Sequence, residues 1–368
     1  MLPAFANEPL TDFTVPKHQA AFRQALSRVR GRLGSHWPLV IGGEEVDTGS
    51  KIVSRNPCQP AEVIGSTAAA TPKHVDLALD AAWRAFPGWA AQAAETRAAV
   101  LVKLAGELRR RKLELAAWET LEASKNWLEA EADVAEAIDF CEYYARQALD
   151  FARPLPVLPS PGEVNQSWLQ PLGAGVVLAP WNFPLAILTG MAMGPVAAGN
   201  AVVIKPSSYT PVVAALFMEL ASAAGLPPGV VNFLPGPGSE VGDYLVDHPR
   251  TRFLNFTGSR EVGVRLMARA ALVPPGQQWL KRAVTELGGK DAVVIDETAD
   301  LDAAIPGVVT SAFGFQGQKC SAASRLIVVA EVYEEVVERL KAAALNLQVG
   351  PAEDNFPVAA VISETQQK

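Results

Sequence analysis

The chain has 368 residues, 49% of them hydrophobic and 19% charged, with a net charge of −7. That length suggests two or three domains with ample material for buried cores. The acidic balance argues against nucleic acid and against anionic membrane surfaces as partners, since both call for a basic face.

Three cysteines, Cys58, Cys141 and Cys320, are too few and too scattered for a disulfide framework, and no CxxC pair or histidine spacing suggests a metal site. A reducing, cytoplasmic setting is expected. The opening "MLPAFANEPLTDF" lacks the basic and apolar regions of a secretory signal, and the longest apolar runs are too short to span a bilayer.

In chain order, residues 16–33 predict a basic amphipathic helix between Pro16 and Gly34. "WPLVIGGEEV" then predicts a short hairpin. Residues 72–119 are rich in Ala, Leu, Arg and Glu at helical spacing and predict two helices broken near Pro87–Gly88. Residues 127–152 predict another long helix. The following "RPLPVLPSPGEVNQSW" carries four prolines and reads as a linker or as an arm leaving the domain.

After residue 172 the pattern changes. Apolar runs such as "AGVVLAP", "AVVIKP", "VVNFLPG", "RFLNFTG", "RAVTELG", "DAVVIDE" and "RLIVVAEV" predict strands. Between or after them, residues 184–198, 210–225, 239–247, 260–271, 301–313 and 333–346 predict helices. Buried strands alternating with helices imply a parallel α/β sheet covered on both faces, with ligands at the carboxyl ends of its strands. The polar candidates fall there: Trp181 and Asn182, Lys205, Gly236, Thr257–Gly258–Ser259 and Glu286.

Each candidate has a plainer alternative. Gly236-Pro237-Gly238-Ser239-Glu240-Val241-Gly242 is spaced GxGxxxG, one residue longer than the Rossmann pattern, and its glycines could simply serve a turn. Ser259 caps the next predicted helix, whose amino end suits a pyrophosphate or is no more than a cap. Lys205 reads as a solvated strand-end lysine or a ribose ligand. Asn182, between prolines, either satisfies a turn or donates its amide to an oxyanion. Glu286 either pairs with Lys290 or takes a proton from water. Cys320 stands among small and polar residues in "GQKCSAASR", where a thiol makes a poor core residue; at a helix amino end its thiolate would be favoured. Cys141 reads as core, and the four histidines as surface or satisfied positions.

Together and in this order, "PWNFP" (180–184), "KPSSYTP" (205–211), "GPGSEVG" (236–242), "FTGSREVG" (256–263), "ELGGK" (286–290) and "GQKCS" (317–321) resemble the aldehyde dehydrogenase superfamily. "NEPLTDF", "ADVAEAIDFCEYYARQA" and "SAFGFQGQKCSAASR" resemble its members that oxidise L-glutamate γ-semialdehyde to L-glutamate in proline breakdown. The resemblance implies a Rossmann-type NAD(P)-binding domain from residues 1–152 and 172–287. It also implies a protruding oligomerisation hairpin at 153–171 and a second α/β catalytic domain from 288 to 368. Cys320 would attack the aldehyde, Asn182 would hold the oxyanion and Glu286 would activate water. Trp181, Lys205, Ser208, Gly236, Thr257, Gly258, Ser259 and Gly288 would bind the cofactor. Glu136, Phe183 and Ser321 would bind the zwitterionic substrate.

NAD is the expected cofactor, with NADP tolerated because Ser208 stands where many relatives carry a glutamate that repels a 2′-phosphate. A homodimer or larger homo-oligomer, and a functional link to proline dehydrogenase, are also implied. The alternatives are specificity for a betaine or aliphatic aldehyde, or an inactive fragment that still binds cofactor. Against the family the chain reads as C-terminally truncated and its catalytic domain as incomplete.

Overall fold

A computed structural model describes residues 2–367. The amino-terminal half is mainly helical. Helix α1 (Pro16–Arg30) starts at a proline, whose missing N–H costs nothing in a first turn, and buries Phe22, Leu26 and Val29. Three short strands follow: β1 (Ser35–Trp37), β2 (Leu39–Ile41) and β3 (Glu44–Val46). Strands β4 (Lys51–Asn56) and β5 (Gln59–Ala68) pair antiparallel, and β1 lies parallel to β5, giving a small three-stranded sheet. The sequence reading missed this sheet, because few of its positions are both apolar and buried. Then come α2 (Pro72–Ala90), α3 (Ala94–Arg110), α4 (Lys112–Ala123) and α5 (Trp127–Phe151).

The expected break at Pro87–Gly88 is corrected: α2 runs through Pro87 to Ala90, and residues 94–123 form two helices. Tertiary contacts outweigh the proline. Trp89 is buried and its indole N–H donates to the Val196 carbonyl at 2.8 Å, which holds the turn after the proline in place.

The second half carries the sheet. Strands β6 (Ala174–Leu178), β7 (Ala201–Lys205), β8 (Val231–Phe233), β9 (Phe253–Gly258) and β10 (Arg282–Leu287) run parallel in the order β10-β9-β6-β7-β8. The hairpin β2–β3 extends this sheet antiparallel beyond β8. Successive side chains point to opposite faces. Val177, Val202 and Ile204 meet the helices α1 and α3–α5, joined by α6 (Ala186–Ala197) and α7 (Pro211–Ala223). Val176, Leu178 and Val203 meet α2, α8 (Asp243–Asp247) and α9 (Arg260–Ala270). Full burial of each such Val, Leu or Ile contributes about 1.5–3 kcal/mol, and both faces draw on it.

Two local features shape the crevice. Before α8 the chain makes a wide π-helical turn at Gly238–Gly242, in which the Pro237 carbonyl accepts from both Val241 (2.9 Å) and Gly242 (3.4 Å). Gly263, in the first turn of α9, sits so close to the sheet that a β-carbon would lie 2.3 Å from Leu287 and 3.1 Å from Phe256. The absent side chain lets the amino end of α9 settle onto the ends of β9 and β10.

Beyond the large sheet, β11 (Asp291–Ile295) and β12 (Ala323–Val328) pair parallel. Helices α10 (Leu301–Phe313) and α11 (Tyr333–Leu345) cover them around Ile295, Ile305, Val308 and Val336. A short α12 (Glu364–Gln367) follows. Residues 153–171 leave the body with one antiparallel bridge, Leu155 to Ser167, and expose Leu158 by 92% and Val164 by 91%.

Candidate active site

The ends of β6, β7, β9 and β10 open into one cavity of about 770 Å³. Its wall is assembled from segments far apart in the chain. At one end stand Asn182, Phe183 and Trp181, which follow β6, and Cys320, which precedes β12. Lys205 and Ser208 after β7, Thr257, Gly258 and Ser259 after β9, and Gly288 after β10 also line the cavity. Ten of the fourteen sequence candidates thus share a single wall.

Cys320 is exposed. It does not sit at a helix amino end, so that expectation is corrected. After α10 the chain makes a tight turn at Gly314–Gly317, in which Phe315, Gln316 and Gly317 take φ of 48°, 57° and 68°. Two consecutive non-glycine residues in the left-handed region store strain of about 1–3 kcal/mol each. The turn is held from outside. Phe315 is buried, and the Gln316 amide donates to the Ala360 carbonyl at 2.7 Å and to that of Ser124 at 3.2 Å. The next residue, Gln318, accepts at its side chain from the Ile362 N–H. Lys319 pairs with Glu129 at 2.7 Å.

Two hydrogen bonds bring the catalytic candidates to this turn. The Asn182 side-chain oxygen accepts from the Phe183 N–H at 3.2 Å, which fixes the amide's orientation. Its amide nitrogen donates one hydrogen to the Gln318 carbonyl at 3.0 Å, leaving the second for a ligand. From the other side, the Gly289 N–H donates to the Cys320 carbonyl at 3.2 Å. A β-carbon on Gly289 would stand 2.7 Å from that oxygen, so only glycine permits this approach. Gly289 lies three residues after Glu286, and sequence reasoning gave it no role; the doubled glycine of "ELGGK" was the signal.

The other end suits a dinucleotide. Lys205 is 8% exposed, and its ammonium has one hydrogen-bond partner, the Pro206 carbonyl at 2.9 Å. Burial pulls it down to about 8. A buried ammonium with spare hydrogens calls for acceptors from a ligand, as ribose hydroxyls would supply. Gly242 faces the Lys205 stem, where a β-carbon would be 3.7 Å away. The Ser259 hydroxyl accepts from the Val262 N–H at 3.3 Å and caps α9, so the helix's remaining amino-terminal N–H groups and dipole face an anion there. These residues fit a pyridine dinucleotide.

Four candidates lie off the cavity wall. Gly236 packs under Val241, where a β-carbon would be 2.7 Å from that side chain, and serves the turn. Glu286 is exposed, opposite Thr257 in the ladder and one residue before the lining residue Leu287. No ion pair joins it to Lys290 among the described residues. Ser321 is exposed beside the cysteine. Glu136 projects from α5 with solvent access, and partial burial together with Asp133 raises its carboxyl above the usual range. Gln366 and Tyr209 line the cavity and were not foreseen, since neither stands at a strand end.

The histidines are occupied elsewhere. His74 closes the cap of α2 with Thr71, and His36 bonds Ser66 and Asp47. Among the described residues no group of acidic, histidine or cysteine side chains is placed to hold a metal, and no helix is long and apolar enough to cross a membrane.

Residues 45–368 match the Aldehyde dehydrogenase family. The 1-pyrroline-5-carboxylate dehydrogenase of Geobacillus kaustophilus (strain HTA426) is 52% identical over 365 residues, 99% of this chain and 71% of that protein. A Thermus 1-pyrroline-5-carboxylate dehydrogenase solved with bound NAD superposes with a TM-score of 0.98 at 55% identity, covering 100% of this chain and 71% of that one. Proline utilization A (PutA) from Bdellovibrio bacteriovorus superposes at 0.96 with 44% identity, covering 98% of this chain and 38% of that one. Cavity, turn and relatives agree, and the chain belongs to the aldehyde dehydrogenase family.

Proposed function

We propose that this chain oxidises L-glutamate γ-semialdehyde to L-glutamate with NAD, NADP being tolerated. The observation that carries the reading is the meeting of Cys320 and Asn182 at one end of a cavity whose other end presents Lys205 and the capped helix of Ser259. The names of relatives that are about half identical along nearly the whole chain support the substrate.

The chemistry follows from these residues. The Cys320 thiolate adds to the aldehyde carbon, giving a thiohemiacetal. The spare Asn182 amide hydrogen and the Cys320 backbone N–H take the oxyanion. Lys205, Thr257, Gly258 and Ser259, with Trp181, Ser208 and Gly288 beside them, would hold a dinucleotide, which would supply the hydride acceptor for oxidation of the thiohemiacetal to a thioester. Glu286, at the strand end tied to the nucleophile's turn through Gly289, takes a proton from the water that hydrolyses the thioester. Ser321 meets the substrate's α-carboxylate, Glu136 its α-ammonium, and Phe183 its methylene chain. Opposed charges on the protein suit a zwitterion, which otherwise would bury a charge unpaired.

In this reading residues 1–152 and 172–287 form the cofactor domain and 288–368 belong to the catalytic domain. Residues 153–171 are an arm through which copies associate as a dimer or larger homo-oligomer in the cytoplasm. The PutA likeness favours a functional link to proline dehydrogenase. Reduction of NAD with a panel of aldehydes tests the substrate. The semialdehyde should have the highest kcat/KM; equal or better turnover of propanal or hexanal would assign the chain to another aldehyde.

A further inference from the structure

Lys125, which the reaction above does not use, lies at the junction of the two segments that build the catalytic end. Its side chain and those of Glu119 and Asp133 are wholly buried. The ammonium donates to Asp133 Oδ2 at 2.8 Å and stands 3.5 Å from Glu119. It also lies 4.3 Å from the centre of the Phe183 ring and 5.0 Å from that of Phe315. Phe183 directly follows Asn182. Phe315 opens the left-handed turn that leads to Gln318, the carbonyl partner of Asn182, and then to Cys320. Asp133 completes the grip, because its other oxygen accepts from the N–H of Ala186, first residue of the helix that follows the Asn182 loop.

Neither Glu119 oxygen has a hydrogen-bond partner, and burial, with the nearby Asp133 charge, holds that carboxyl well above the carboxylate range. The cluster sets one buried ammonium against Asp133, with the Glu119 carboxyl a second oxygen group beside it. Such a buried pair adds little to stability, since well-packed apolar residues there are commonly as stable or more so. A cation does what a methyl cannot. It attracts the faces of two rings at once and so fixes their orientation.

We propose that Lys125 is a positioning residue: by clamping Phe183 and Phe315 it sets the Asn182 amide in register with the turn that carries Cys320. This deepens the functional reading and rests on Asn182 acting as the oxyanion donor.

A double-mutant cycle on the full chain tests it, with propanal and the semialdehyde as substrates. Lys125→Met should lower kcat about 10- to 100-fold, the scale expected for a misplaced oxyanion donor. NAD affinity, read by fluorescence titration, should change by less than about twofold, because the change leaves the far end of the cavity intact. In an Asn182→Ala background the same substitution should lower kcat by less than about threefold, since the group it positions is gone. Losses that multiply, or a Lys125→Met enzyme with wild-type kcat, would overturn the proposal. If Lys125→Met alone fails to fold, Lys125→Met with Asp133→Asn removes both charges and replaces it in the cycle, with the same outcomes. Wild type that turns over propanal but not the semialdehyde would sink the substrate assignment alone, leaving the cycle to be read on propanal. Wild type inert toward every aldehyde would sink both.

Discussion

The three cysteines separate by surroundings. Cys320 is exposed in its turn, whereas Cys141 is buried on α5 and its thiol is pushed up by burial and then by Glu142. Iodoacetamide should label Cys320 at least about tenfold faster than Cys141 or Cys58, and aldehyde should protect it; mass spectrometry of the labelled peptides gives the order. Lys205 predicts a pH effect. Its folded-state value, about 8, is lower than the ordinary one, so between pH 8 and 10.5 the unfolded chain binds the extra proton and stability rises with pH. Relative to Lys205→Met, wild type should gain about 2 kcal/mol between pH 7 and 9.5 in urea unfolding. A parallel response in both proteins would show that the ammonium is not desolvated. At this scale the sequence announced Asn182, Lys205 and Ser259, because each follows a strand inside a distinctive motif, and Cys320, because it stands among small and polar residues. Lys125 and Glu119 left no such sign. A buried ion pair is made by tertiary neighbours, and in "LEASKN" the lysine reads as an ordinary helix-end residue.

Elements depend on partners as much as on their own sequence. The amino end of α7 is buried, and Glu122 from α4 accepts from the Val212 and Val213 N–H groups at 2.9 and 2.8 Å. Burial raises that carboxyl to about 7. Glu122→Ala leaves two buried donors unpaired and should cost about 2–4 kcal/mol of stability by chemical denaturation; a cost below about 0.5 kcal/mol would mean that water or other groups replace it. Gly263→Ala would drive a methyl into Leu287 and lift the start of α9 from the sheet. NAD affinity should fall about tenfold or more while Cys320 labelling stays unchanged, and an unaltered affinity would remove α9 from the cofactor site. The central strands were legible because β6 and β7 are continuous buried apolar runs. Strands β4 and β5 were not, since Ser, Thr, Asn and Glu interrupt their apolar residues. The proline rule failed at α2 because the following tryptophan is anchored in the core.

Over the whole molecule, motif order carried the inference: Asn182 and Cys320, 138 positions apart, were expected at one rim and meet there. The proposed association between copies has a weaker signature. The segment 153–171 shows mostly apolar side chains and prolines, which a linker would share. Leu158→Asp together with Val164→Asp should shift light-scattering mass toward a smaller species without changing the thermal midpoint of the monomer fold. Unchanged mass would move the interface elsewhere.

The wide turn at Gly238–Gly242 sets how the helix after it packs. A pattern search demanding the shorter glycine interval passes over this chain, whose first glycine, Gly236, packs under Val241 and serves the turn. Deleting one residue of the wide turn would re-phase α8 by about 100°, carrying Asp243 away from Arg265, its partner at 2.5 Å, and turning apolar Leu245 toward water.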